Sequence, residues 1–157
     1  MSSGNDQAPS HGLIMVQNRP FRREQLRGNP RALFVWEDTL EHRQATLAGT
    51  RYARECHGEF NAVAIVTKKL AGNAPYCSFT DDDARPGNEA IETIRHAFER
   101  IQRHLENGGH AYFPGNPIGS EAELIKSAPA MWGRIERMRL DLFRKFPVRS
   151  VIESKVA

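Results

Sequence analysis

Short apolar runs recur along the chain and are separated by longer segments of mixed polarity. Nearly every position within a run is apolar, which is typical of strands that are covered on both faces of a sheet. We therefore predict four central strands, at residues 13–16, 32–36, 61–67 and 110–113.

The segments between these runs carry helical spacing. Over residues 88–107, apolar side chains recur every three or four positions and form a single stripe, made by Ile91, Ile94, Phe98, Ile101 and Leu105. Further helices are predicted over residues 22–27, 44–56 and 121–146. We expect the last one to break near Pro129, because proline disfavours helix at the residue before it.

Strands that alternate with helices predict an α/β fold, here a three-layer sandwich with a mostly parallel sheet of four to five strands flanked by helices. A chain of 157 residues fits one domain. We place this domain at residues 13–147, between a polar N-terminal tail at 1–12 that we expect to be disordered and a flexible C-terminal tail at 148–157. Ligands of such sheets bind at the carboxyl ends of the strands, so any site is expected among residues 37–43, 67–73 and 114–120.

The loop after the fourth strand is a candidate phosphate-binding segment. Gly115 and Gly119 permit backbone geometries that other residues avoid. Ser120 is placed to cap a helix that begins one or two residues later, with Glu123 as its capping-box partner, and a helix N-terminus attracts anions. Together with Asn116, these residues could hold a phosphate. The alternative is a strand-to-helix turn that requires glycine for steric reasons alone.

Charged residues follow the second and third strands. Carboxylates at this edge could bind a ribose or position a water, so we take Asp38 as the candidate catalytic residue and Glu37 as a ligand contact. The alternative for Asp38 is a cap on the next helical turn. Lys68 could neutralise a phosphate, or it could be the ordinary polar boundary of its strand.

Two other clusters carry weaker signals. The acidic run at residues 80–83 could bind Mg²⁺, but local capping or a solvated loop is favoured because the sequence shows no second acidic cluster. Cys56 is a conceivable nucleophile beside His57, although neighbours in sequence need not face each other. The six histidines form no recognisable ligand motif, so no metal or cofactor is assigned.

The net charge of +3 is unevenly distributed, with −4 over residues 32–129 between basic ends of +3 and +4. Arg134, Arg137 and Arg139 lie outside the apolar face of the C-terminal helix, where they could contact nucleic acid or a host protein; the alternative is a solvated basic face. No apolar run approaches the ~20 residues that span a bilayer, and the N-terminus lacks the features of a secretory signal. We therefore expect no membrane association and a cytoplasmic location.

Four segments together resemble an uncharacterised family of small proteins found widely in bacteriophage and bacterial genomes. These segments are LRGNPRALFVWED (26–38), HGEFNAVAIVTK (57–68), FTDDD (79–83) and YFPGNPIGSEAELIKSAP (112–129). The resemblance spans residues 17–146. That family is in turn similar to macrodomain and Rossmann-like folds, which bind ADP-ribose and other nucleotides.

Glycines typical of that family are missing here. Glu37 and Glu121 stand where the family has glycine, and its glycine-rich stretch corresponds to residues 42–45. These changes add bulk and negative charge at the expected phosphate site. Two readings follow from the resemblance and its departures: a protein that binds, and could hydrolyse, a nucleotide or ADP-ribose-like ligand, or a non-enzymatic phage-encoded inhibitor or accessory factor that works through its basic ends.

Overall fold

The structure is a computed structural model that describes residues 10–41, 53–120 and 122–151. Its strands are β1 (Ile14–Gln17), β2 (Leu33–Thr39), β3 (Ala62–Lys68), β4 (Ala111–Pro114) and β5 (Val148–Ser150). Its α-helices are α1 (Arg23–Gly28), α2 (Ala53–Cys56), α3 (Glu89–Glu106), α4 (Leu124–Ser127) and α5 (Pro129–Lys145). Short 3-10 helices lie at Pro75–Cys77 and Asp81–Ala84.

The strands of the described residues form one five-stranded sheet in the order β3-β2-β4-β1-β5, and every neighbouring pair is parallel. Phe34 on β2 pairs with Ala62 on one side and with Tyr112 on the other. This architecture confirms the predicted α/β fold with a parallel sheet between helices. The four predicted strands and the long helix over residues 88–107 are all present.

Strand alternation builds a different apolar layer on each face of the sheet. On β2, Leu33 and Val35 join the larger cluster, which α3, α4 and α5 cover, whereas Phe34 and Trp36 join a smaller cluster with Leu26 of α1. The first described helix after β2, α2, joins the smaller cluster through Cys56, whereas α4 and α5, which follow β4, cover the larger one. In doubly wound sheets this arrangement opens a crevice between the two carboxyl ends.

The predicted break in the last helix is confirmed at Ala128. This residue ends α4 and also precedes α5, and Pro129 occupies the first turn of α5. Pro at the first helical position loses no hydrogen bond, because that N–H has no acceptor within the helix.

Two expectations for the chain termini and turns differ from the structure. Residues 148–150, assigned above to a flexible tail, form β5 and pair with β1. Ser120 does not cap a helix: α4 begins only at Leu124, and Glu123 precedes it in the left-handed region with φ of 50°. The Glu123 N–H donates to the Ser120 carbonyl and the Leu124 N–H donates to the Gly119 carbonyl, each over 3.1 Å, so the backbone forms turns here. The helix predicted over 44–56 is described only from residue 53, and residues 1–9 and 152–157 also lie outside the described residues.

Among the helices that the structure describes, none combines the length and the apolar character needed to cross a membrane.

Candidate functional site

The crevice between β2 and β4 brings together two of the predicted site residues. The Gly119 N–H donates a hydrogen bond to Oε1 of Glu37 over 2.8 Å, although the residues lie 82 positions apart. Gly119 has φ of +92°, a conformation that L side chains rarely adopt, and its N–H is thereby aimed at β2. The donor that was expected to meet a ligand phosphate thus binds a carboxylate of the protein itself.

The glycines of the β4 loop also meet close steric demands. A Cβ on Gly115 would lie 2.0 Å from Oδ1 of Asn18, at the end of β1, and one on Gly119 would lie 3.0 Å from a methyl of Leu124. Close packing therefore accounts for both glycines without a ligand.

Asp38 does not share this crevice. Successive strand residues point to opposite faces, so Glu37 faces the β4 loop and Asp38 faces the other way, beside Trp36. Asp38 is buried, and its Oδ1 accepts the Thr39 N–H over 2.7 Å. The predicted pair of adjacent carboxylates is therefore divided between two environments.

The other predicted ligand contacts remain apart from both acids. The Lys68 ammonium donates to the Gly72 carbonyl within its own loop. Asn116 and Ser120 are exposed, and the Ser120 N–H donates to the Pro117 carbonyl over 3.1 Å. Of the seven predicted site residues, only Glu37 and Gly119 are joined by a side-chain contact in the described structure.

A cleft of about 340 Å³ lies on the Asp38 side of β2, along the edge of β3. The chain around α2 forms one wall and α3 forms the other. Its polar and aromatic lining comprises Trp36, Asp38, Cys56, His57, Glu59, Thr93, His96 and Arg100. Ala62, Val63 and Ala64 of β3 form its floor.

Arg100 fixes the α3 wall against the start of β3. Its guanidinium donates to the Phe60 carbonyl over 2.8 Å and to the Ala62 carbonyl over 3.3 Å. These bonds hold a positive charge at the mouth of the cleft, and the remaining N–H donors of the group can serve a ligand.

Glu59 on the opposite wall is charge-compensated. Its Oε1 lies 3.3 Å from Nε of Arg23 and 3.1 Å from Nε of Arg27, both on α1. The neighbouring Glu55 carboxylate accepts the backbone N–H of Arg23 over 2.6 Å. These contacts tie the turn that carries His57 to α1, so the wall is braced and Glu59 brings little uncompensated negative charge to the cleft.

Cys56 is a poor nucleophile in this setting. Burial, followed by the nearby Glu55 carboxylate, raises the pKa of its thiol from 9.0 to about 12. The thiolate is the reactive form, so Cys56 is almost wholly unreactive at neutral pH. Burial and the raised thiol pKa therefore do not support Cys56 as the nucleophile beside His57.

The acidic run at residues 80–83 has a structural role. Thr80 and Asp83 form a capping box, and Oδ1 of Asp81 accepts the Ala130 N–H at the start of α5 over 2.9 Å. Asp83 also pairs with Lys69 over 3.4 Å. The favoured local-capping interpretation is confirmed, and the described residues contain no group of His, Cys, Asp or Glu that could hold a metal ion.

Among the lining residues that the sequence analysis did not assign to a site are His96 and Arg100. With Thr93 and Ala97 they follow the three- and four-residue spacing of α3 and form a stripe beside its apolar stripe. That spacing was readable, but only the packing of α3 at the sheet edge shows that this stripe faces a cleft.

One family model matches residues 16–138 of the chain. The chain belongs to this family, a family of unknown function designated DUF7831. Membership confirms the expected relation to an uncharacterised family. No curated protein and no solved structure matches the chain significantly.

The DUF7831 match includes both regions described above. The Glu37–Gly119 contact and every residue that lines the cleft lie within residues 16–138. The match ends inside α5, before the last turn of that helix and before β5.

Proposed function

We propose that this DUF7831 protein binds a small nucleotide-type ligand in the cleft beside β3. The observation that carries the proposal is the combination, in one cleft of about 340 Å³, of a buried carboxylate, an indole, two imidazoles and a guanidinium. Small-molecule sites have volumes of about 300–1,000 Å³ and pair an apolar lining with a few polar groups that fix orientation.

Each polar group has a proposed partner on such a ligand. Arg100 and His96 extend from α3 at the mouth and would bind the phosphate, because a guanidinium forms charge-assisted hydrogen bonds with phosphate oxygens. The Asp38 carboxylate would accept a hydrogen bond from a ribose hydroxyl. His57, whose ring lies edge-on to Trp36 at 6.4 Å between centroids, would contact the base.

The Gly115–Gly119 loop is not the proposed phosphate site. Glu37 already accepts the Gly119 N–H, and a phosphate there would meet that carboxylate. We propose Arg100 as the phosphate contact instead. The ligand class and the role of Asp38 stay as the sequence predicts them, and only the position of the ligand on the sheet differs.

The resemblance of this family to macrodomain and Rossmann-like folds supports the choice of a nucleotide as the ligand. Macrodomain and Rossmann-like proteins bind ADP-ribose and other nucleotides, and the family resembled here is found in phage and bacterial genomes. ADP-ribose and AMP are therefore the probes of choice. Hydrolysis would require a water beside Asp38, and chromatography of ADP-ribose incubated with the protein would detect its products.

Calorimetric titration with AMP and with ADP-ribose tests the proposal. We expect binding by the wild type and about tenfold to a hundredfold weaker binding by Arg100→Ala, the range for a hydrogen bond to a charged group. Arg103→Ala is the matched control, because Arg103 is an exposed residue of the same helix that does not line the cleft. The proposal is contradicted if neither AMP nor ADP-ribose binds at millimolar concentration.

A second candidate function is supported by the surface of α5. Arg134 and Arg137 are exposed and form no ion pair with the described residues, whereas Arg139 pairs with Glu136 over 2.9 Å and lies over the Phe143 ring. We propose that this surface contacts nucleic acid, which is the interaction-protein alternative.

Binding of a labelled DNA duplex over a range of salt concentrations tests this second candidate. Each phosphate contact contributes a slope of about −0.9 in log K against log salt, so Arg134→Ala with Arg137→Ala should reduce the slope by about 2. Arg95→Ala is the control, because Arg95 already pairs with Glu92 and Glu99. Salt-independent binding, or none, contradicts this candidate.

A further inference from the structure

The edge strand β3 presents backbone groups to the cleft. The Phe34 N–H donates to the Asn61 carbonyl over 2.8 Å, and Phe34 pairs with Ala62. In a parallel ladder this register directs the N–H and C=O groups of residues 61, 63 and 65 toward β2, and those of residues 62, 64 and 66 away from the sheet. The outward groups face whatever lies beside β3.

Both ends of this outward edge are occupied by the protein. At the start, the Ala62 N–H donates to the Glu59 carbonyl over 3.2 Å, and its own carbonyl accepts from Arg100. At the end, Lys68 pairs with Ser78 on the outer side. The outward groups of Ala64 and Val66 lie between these closures, and no described residue is seen to bond to them.

This opening is narrow. Strands in globular proteins are usually about 3–10 residues long, and Ala64 and Val66 together offer fewer outward groups than a partner strand of ordinary length would use. Only Ala64 of the two lines the cleft. The opening therefore suits a small group that carries one donor and one acceptor side by side.

We infer that the N–H and C=O of Ala64 bind the hydrogen-bonding edge of a nucleobase. Each of the common bases carries a ring nitrogen and an exocyclic group that supply an adjacent donor and acceptor, which complements the acceptor and donor of one extended residue. The inference rests on the proposed nucleotide function and assigns the part of the cleft that binds the base, one outward position along β3 from the Ala62 carbonyl that Arg100 holds.

Recognition of the base by backbone groups has a consequence for specificity. Some bases present the donor and the acceptor in one order along the edge and some in the other, and a small shift of the base lets either order bond to the Ala64 N–H and C=O. The site should therefore demand a base while discriminating only weakly among the bases.

Titration of the intact protein with AMP, GMP, CMP, UMP and ribose 5-phosphate tests the inference. At least one nucleotide should bind about tenfold or more tightly than ribose 5-phosphate, since each hydrogen bond to the base contributes to affinity. In Ala64→Pro the outward N–H is lost and the C=O remains, so nucleotide affinity should fall toward that of ribose 5-phosphate. Proline is tolerated on an edge strand where the N–H points away from the sheet.

Val148→Pro is the matched control. Val148 begins β5 at the opposite edge, and the Ile14 N–H donates to the Pro147 carbonyl, so the groups of Val148 also point outward. This variant should bind every ligand as the wild type does. If Ala64→Pro does not fold, the wild type is titrated with the form of each binding nucleotide in which methyl groups replace every hydrogen of the edge donor. This is the dimethylamino form of AMP or CMP, the N1-methyl form of GMP or the N3-methyl form of UMP, and a loss of about tenfold is expected.

The outcomes separate the two claims. Equal affinity for nucleotides and ribose 5-phosphate, unchanged affinity in folded Ala64→Pro, or unchanged affinity for the methylated nucleotide overturns base recognition by Ala64 and leaves the proposed function standing. Failure of all five ligands to bind the wild type overturns the proposed function and this inference with it.

Discussion

The two sides of β2 carry adjacent carboxylates in opposite circumstances. Glu37 extends toward the β4 loop and accepts the Gly119 N–H, so its crevice is closed by the protein's own acid. Asp38, the next residue, faces a cleft of about 340 Å³ whose far wall carries Arg100. Glu37 and Asp38 are successive residues of one strand, so their side chains point to opposite faces of the sheet. The Glu37 carboxylate has a structural role, and the Asp38 carboxylate is a candidate for ligand binding.

This comparison shows how strand alternation gives two adjacent acids different surroundings. The Glu37 carboxylate supplies an acceptor for the Gly119 N–H and ties the β4 loop to β2. The outer edge of β3 is different. Arg100 binds backbone carbonyls at its start and Lys68 pairs with Ser78 at its end, and between them no described residue bonds to the outward groups of Ala64 and Val66.

The largest expected effect concerns Cys56, on the wall of the open cleft. With a pKa of about 12 instead of 9.0, its thiolate fraction near pH 8 is about a thousandfold smaller than that of an ordinary thiol. Mass-spectrometric alkylation kinetics should therefore show Cys56 reacting about a thousandfold more slowly in the folded protein than in urea. Comparable rates in the two states would show that the wall is open to solvent.

The next effect concerns the apolar layer beneath the cleft. Phe34 is fully buried, and its ring stacks on Tyr112 at 4.7 Å between centroids. Phe34→Ala should lower the free energy of unfolding by about 3–5 kcal/mol, through lost burial and a residual cavity. Urea denaturation measures this loss. Phe60→Ala is the control, because Phe60 is 72% exposed and its truncation should change stability by less than about 0.5 kcal/mol. Similar losses in both variants would contradict this account of the smaller layer.

A smaller effect is expected in the closed crevice. Glu37→Ala leaves the Gly119 N–H without its carboxylate acceptor and should cost about 2 kcal/mol in urea denaturation, whereas Glu37→Gln retains an oxygen acceptor and should cost less. Equal stability of Glu37→Ala and the wild type would show that the contact does not close the crevice.

The last prediction is a dependence of stability on pH. Because the folded pKa of Cys56 lies above its unfolded value, the unfolded state loses this proton first as the pH rises past 9.0. Stability should therefore decrease between pH 9 and pH 12, and Cys56→Ala should show a shallower decrease. An identical pH dependence in the two proteins would mean that the thiol is not desolvated.

Local patterns predicted most of this fold and only part of the site. The apolar run at residues 32–36 and the stripe of α3 are sequence signals that need no long-range information. β5 escaped prediction because Val148, Arg149 and Ser150 are all exposed and join the sheet through backbone pairing with β1. No side-chain pattern marks such a strand.

The sequence prediction grouped Glu37 and Asp38 at one site, whereas the structure places them in different surroundings on the two faces of β2. Placing Glu37 and Asp38 at the carboxyl end of β2 followed from the order of the elements, and their separation follows from strand alternation, which the sequence already contained. That Arg100 lies 2.8 Å from the Phe60 carbonyl depends on how α3 packs against β3, which sequence spacing does not specify.

Backbone amide NMR with AMP tests the central claim most directly, because the cleft and the crevice give separate signals. We expect AMP to shift the amides of His57, Ala64, His96 and Arg100 and to leave those of Gly115 and Gly119 unchanged. Shifts centred on Gly115 and Gly119, with the β3 edge unaffected, would place the ligand in the crevice and contradict the account.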